Sequence, residues 1–289
     1  MLKKRIGLFV VAIAVLATLA SAVTIGRPIL AAGHAASPFL SGSPASTVLK
    51  WLLDLHARLD LTADQDAGIK AIFTDHKTEL VSIGKGEKSA RMALQKAIRH
   101  PSVNMGAIEA ASAVIADLDA DLAVERGEVY AEVWALLTET QKTALTEYMA
   151  ETQARLIQQM QSFANNPDFS ALGFDRLKLT AGQKAAIKDV LESHRKDLKS
   201  LAGAEKKARM SLLSAIRQPS VNEAAIRGAS ADVAALDLQL ATHRAQIYSE
   251  VRALLTAKQQ AELDKILQEN TQKVIDQIEM VIRMIEILL

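Results

Sequence analysis

The chain has no cysteine. This excludes disulfides, thiol nucleophiles, thiolate zinc sites, iron–sulfur clusters and lipidation of an N-terminal cysteine. Aromatic residues are only 4% of the 289 positions, too few for base-stacking platforms or aromatic sugar clefts. A surplus of charge is missing too, since 34 Lys+Arg face 33 Asp+Glu for a formal net charge of +1. General nucleic-acid binders need a basic excess to displace counterions, so that class is set aside. There is no GxGxxG, P-loop, HExxH or GxSxG motif. No stretch sustains apolar–polar alternation or hairpin turn chemistry, so no sheet is expected. What remains is 49% hydrophobic and 23% charged, a balance that suits packed helices.

The first 26 residues read as an address. Lys3, Lys4 and Arg5 precede an uncharged run from Ile6 to Ile25, and Ala20-Ser21-Ala22 fits the small-x-small rule of a signal-peptidase site. The triplet favours cleavage, while the length of the run also suits an uncleaved inner-membrane anchor. Either way, positive-inside orientation places the rest outside the cytoplasm, with a bacterial periplasm as the natural compartment. Residues 27–46 are small, Pro-bearing and unperiodic, and are expected to be a flexible tether.

The remainder contains one unit written twice. Residues 61–150 align with 179–268 at an offset of 118, without a gap and with 43 identities. RHPSVN at 99–104 meets RQPSVN at 217–222. A period this long means two whole units, 47–163 and 176–270, with a linker at 164–175. In 62–99 the residues Ile69, Ile72, Phe73, Leu80, Ile83, Leu94 and Ile98 follow the spacing of one helix face. Pro101 and Pro219 are expected to break this helix in each unit, Gly84 and Gly86 to bend it in the first. A second helix is expected after Asn104 or Asn222, and a third after Thr138 or Thr256. Segments 47–60 and 170–178 add a further helix or turn. Residues 271–289 form an amphipathic helix, expected to pack on the bundle or to mediate self-association.

L-T-x-x-Q occurs four times: Leu61, Thr62 and Gln65; Leu137, Thr138 and Gln141; Leu179, Thr180 and Gln183; Leu255, Thr256 and Gln259. Thr followed three residues later by Gln is a capping box, in which hydroxyl and amide each satisfy an orphan backbone N–H. Each cap is worth about 1 kcal/mol. The residues that a preceding Leu would staple are Asp66, Lys142, Lys184 and Gln260, so each Leu must pack on another helix.

Two such boxes per helical unit, behind an export leader, resemble the Spy/CpxP (LTXXQ-motif) family of periplasmic proteins. The Pro-Ser-Val-Asn break resembles the turn of related periplasmic heavy-metal sensor and resistance proteins. The resemblance implies long helical hairpins, two of which form a curved cradle. It implies one of two functions: ATP-independent chaperoning of unfolded or stress-damaged envelope proteins, or metal- or stress-responsive regulation of a membrane signalling system. Two units in one chain imply an all-α intramolecular pseudo-dimer.

Two sets of twin residues are candidate sites. Arg91-Met92 and Arg209-Met210 lie beside acidic and basic neighbours, and flexible Met in a mixed strip suits loose client binding. His76 and His194 sit on the apolar stripe with Glu79 and Asp197 one turn on. If the halves pair, both imidazoles and their acids can converge on a divalent metal such as zinc or nickel. No other cofactor is implied. No catalytic set is found: Ser193 and Lys196 form an isolated S-x-x-K whose twin is Asp75 and Thr78. The expected partners are unfolded periplasmic proteins or a sensor protein, and no enzymatic activity is expected.

Overall fold

The structure, a computed structural model, describes Leu55 and residues 57–165 and 174–288. The expected leader, its cleavage site, the tether and most of the linker lie outside the described residues. The fold is all-α, with six long helices, a 3-10 turn and no strand among the described residues. The first unit contains α1 (Ala63–Ile98), α2 (Met105–Leu136) and α3 (Glu139–Asn165). The second opens with the 3-10 turn Phe174–Leu177, followed by α4 (Ala181–Ile216), α5 (Glu223–Ala253) and α6 (Ala257–Leu288).

The helix ends follow the sequence punctuation. Asn104 and Asn222 cap α2 and α5, their side-chain oxygens accepting from the N–H of Ala107 and Ala225 at 3.0 and 3.1 Å. α1 and α4 stop three residues before Pro101 and Pro219. Gly84 and Gly86 do not interrupt α1. They admit neighbours instead: a Cβ would stand 3.1 Å from Ile282 at Gly84 and 3.0 Å from Leu118 at Gly86.

All four capping boxes form, and within each unit the two are stitched together. Gln65 Nε2 donates to Gln141 Oε1 at 2.7 Å, and Gln141 Nε2 returns to Gln65 Oε1 at 3.0 Å. Gln65 Nε2 also donates to the Leu136 carbonyl at the end of α2, and Gln141 Nε2 to that of Leu59. Gln183 and Gln259 repeat the pattern, with bonds to Leu254 and Leu177. Only an amide both accepts from a cap N–H and donates to a carbonyl, so Glu cannot replace Gln here. Just before the first box of each unit, Asp60 and Lys178 take positive φ, at 44° and 47°. Most side chains avoid that region, and the tight entry imposes it.

The cores of the two units differ. In the first, Ile69, Phe73, Leu80 and Ile83 of α1 are buried with Leu122, Val129 and Val133 of α2, under Leu55, Leu59, Leu145 and Tyr148. Leu137 of the second box joins them, as its lack of a staple partner required. In the second unit the smaller core comprises Leu177, Tyr248, Leu255, Leu263, Ile266 and Leu267. The α4 residues Ile187, Leu191, Leu198 and Leu201 are only half-buried.

The units touch through α2 and α5. Ile98 and Ile108 of the first unit pack with Ala241 and Ala245 of the second. Ile216 and Ile226 of the second pack with Ala123 and Val124 of the first. Ile98 and Ile108 become Ile216 and Ile226 at the 118-residue offset, and Ala241 becomes Ala123, so the two contacts are reciprocal. Gly127 stands where Ala245 stands in the other contact, and a Cβ there would come within 2.8 Å of Ile226.

The C-terminal helix is not a separate element. α6 runs unbroken through residue 270 to Leu288, and its far half crosses to the first unit. There Ile278 and Ile282 pack against Val81, and Lys88 pairs with Glu279. Of the two expectations for this segment, packing on the bundle is the one observed.

Candidate functional site

His76 projects from α1 toward α2, where Glu125, Glu128 and Glu132 follow one another at three- and four-residue steps along one face. The His76 Nδ1 lies 2.7 Å from Glu125 Oε1, and its Nε2 lies 3.2 Å from Glu132 Oε1. His76, Glu125 and Glu128 each offer one ligand atom, all within 4.8 Å of one another. Burial lowers the His76 pKa, but the carboxylates of Glu125 and Glu132 override it and leave it above the usual histidine value. Burial raises the pKa of Glu125, with repulsion from Glu128 and Glu79 adding to it and His76 opposing.

The second unit holds a different set at the same place. His194 Nδ1 lies 3.3 Å from the Nδ1 of His243, and its Nε2 lies 3.2 Å from Glu250 Oε1. The two rings meet edge to face. His243 occupies the position equivalent to Glu125, and Gln246 that of Glu128.

The metal set suggested by the sequence is therefore redistributed. His76 and His194 do not converge, because each imidazole finds its partners on the second helix of its own unit. Glu79 is exposed, makes no hydrogen bond to His76 and acts on Glu125 by charge alone. Asp197 is exposed on α4. The ligand-type residues beside the imidazoles, Glu125, Glu128 and His243, lie about 50 residues away in sequence, beyond the reach of a local motif.

The arginine–methionine strip divides. Arg91 is only 9% exposed and is paired with Glu87 at 3.0 Å and Asp119 at 3.2 Å. Arg209 pairs likewise with Glu205 at 2.7 Å and Asp237 at 2.8 Å. Both guanidiniums are thus held in ion pairs, each with a carboxylate of its own helix and one of α2 or α5. Met92 and Met210 remain exposed, at 48% and 40%.

These ion pairs belong to a charge cluster where the units meet. Burial raises Asp119 to about 7, with Glu87 adding and Arg91 opposing. Asp237, from the other unit, acts on both Asp119 and Arg91. Burial lowers Arg126 and Arg244 to about 10. A buried charge of this kind is costly unless paired, so the cluster constrains how the units fit together more than it stabilises them.

Residues 168–267 match the family described as LTXXQ motif family protein. The second unit is thus similar to the LTXXQ family over this span. No curated protein and no solved structure matches the chain. The matched LTXXQ span includes both second-unit boxes and the Gln183–Gln259 amide pair, and it ends inside α6 before the segment that crosses to the first unit. Among the described residues, no helix is long and apolar enough to cross a membrane.

Proposed function

We propose that the chain is an exported, ATP-independent chaperone-like protein that holds unfolded or stress-damaged envelope proteins. The LTXXQ family points to a periplasmic protein of stress or metal resistance. In this reading the two units form a pseudo-dimer, supported by the reciprocal contacts of Ile98/Ile108 and Ile216/Ile226. The observation that carries the proposal is the half-buried apolar face of α4, with Leu191, Leu198 and Leu201 where the first unit buries Phe73, Leu80 and Ile83. Exposed Met210 lies on the same helix. A partly open apolar face binds unfolded chains weakly, and clients leave once their own burial is more favourable.

The test is suppression of aggregation of an unfolded protein at near-stoichiometric ratio without nucleotide. Full activity is expected from the wild type and a clear loss from Leu191→Ser/Leu198→Ser. Absence of suppression at tenfold excess overturns the proposal. A second reading is a metal- or stress-responsive regulator of a membrane signalling system. It is supported by the ring of carboxylates around His76.

A further inference from the structure

We propose that His76, Glu125 and Glu128 form a divalent transition-metal site between α1 and α2 of the first unit, with Glu132 positioning the imidazole. The inference does not need the client-holding reading, and it deepens the regulator reading.

The donor geometry supports it first. Metal bonds of about 2.0–2.2 Å to nitrogen and oxygen place ligand atoms about 3–4 Å apart, close to the spread of this set before any metal enters. Glu125 and Glu128, one turn apart, present both oxygens from one helix face, and His76 supplies the nitrogen from the facing helix.

The outer contact is independent of the cluster itself. Glu132 accepts from the Nε2–H of His76 at 3.2 Å. Once a metal displaces the proton that Nδ1 shares with Glu125 at 2.7 Å, this bond holds the tautomer whose Nδ1 lone pair faces Glu125 and Glu128. Metal-binding histidines usually donate their second N–H to a carboxylate in this way.

The charge balance also favours a cation. Glu125 is buried and repelled by Glu79 and Glu128, with one imidazole as its hydrogen-bond partner. A dication neutralises two carboxylates at once. When it binds, it takes the place of the proton shared between His76 Nδ1 and Glu125, and that proton leaves to solvent.

The second unit sharpens the argument. At the twin of Glu125 the chain places His243, another ligand-bearing side chain, against the imidazole of His194. One nitrogen with two oxygens suits zinc or manganese. A pair of imidazoles shifts preference toward nickel and copper.

The experiment titrates zinc into the full-length protein by calorimetry in two buffers of different ionisation enthalpy. Nitrogen NMR of the imidazoles is read alongside, and helicity is checked by circular dichroism. The expected result is zinc binding with proton release and a shift at His76 Nδ1 while Nε2 stays protonated. Glu128→Gln is expected to lower affinity at least tenfold at unchanged helicity, and His243→Ala to leave this site intact. No zinc binding by the wild type overturns the proposal, as does binding that survives both Glu125→Gln and Glu128→Gln. Zinc binding abolished by His243→Ala alone also overturns it. Zinc bound as expected but without effect on any signalling output retains the site and removes the regulator reading.

Discussion

The two units share a helix plan and differ in what covers them. α1 lies under the far half of α6 and beside Leu55, Leu59 and Tyr148, so its apolar face is buried. Among the described residues, no helix crosses the equivalent face of α4 as α6 crosses α1. The surface of α4 explains the difference: Val81 and Gly84, which receive α6, become Lys199 and Ala202, while Lys88 is kept as Lys206. Lys199, Ala202 and Lys206 are exposed. A lysine in place of a valine removes the apolar seat for a second helix. The same capping, breaks and periodicity therefore give a closed unit and a more open one, and the choice is made by a few surface positions outside the repeat's own core.

The largest expected effect tests that contrast directly. Phe73→Ala removes a fully buried ring and is expected to cost about 3–5 kcal/mol. Its twin Leu191→Ala removes a half-buried side chain and is expected to cost about 1 kcal/mol or less, on the scale of partial burial. Urea denaturation measures both, and equal losses would break the comparison.

The next effect concerns the cover itself. Ile282→Ala empties the contact above Gly84 and Val81 and is expected to cost about 2–4 kcal/mol. Hydrogen exchange should localise the loosening to α1 and the end of α6. If α4 responds instead, the crossing of α6 is misassigned.

A smaller effect is expected at the glutamine pairs, which are alike in both units. Gln65→Glu removes donors to the Leu136 carbonyl and to Gln141, at a cost of about 1–3 kcal/mol. Gln183→Glu is expected to cost the same within error. A large difference between them would mean that the boxes, too, have diverged.

A pH-dependent effect should come from Asp119. Its folded pKa of about 7 lies well above the unfolded carboxylate value, chiefly through burial. Between those values the folded state keeps a proton that the unfolded state releases. Its contribution to stability is thus complete below about pH 4 and lost as pH rises toward 7. Asp119→Asn should flatten this part of the stability–pH curve. An unchanged slope would assign it to other groups.

Much of this was readable from residues alone. The four Thr–Gln boxes, the Asn caps and the proline corners act within four residues, so the local sequence determines them. The pairing of Gln65 with Gln141 was not readable, since it needs two helix starts 76 residues apart to meet. The same limit hid the partners of His76 and Arg91. A run of charges near Arg91 looks like a solvated face until Asp119 on α2 is placed opposite it. One signal was present: Glu125 and Glu128 become His243 and Gln246 at the repeat offset, while the arginine next to the first of them, Arg126 or Arg244, is kept. The destination of α6 had no local signature, because an apolar face fixes that a helix docks without fixing where.

The joining of both units in one polypeptide has a consequence for how the protein evolves. In an assembly of identical subunits, every substitution appears on both sides of the axis. Here Glu125 and His243, or Gly127 and Ala245, differ across equivalent places because each is encoded once. The partners also cannot be lost by dilution, since their local concentration is set by the chain itself. A gene that carries both halves is free to let one become the anchor and the other the working surface.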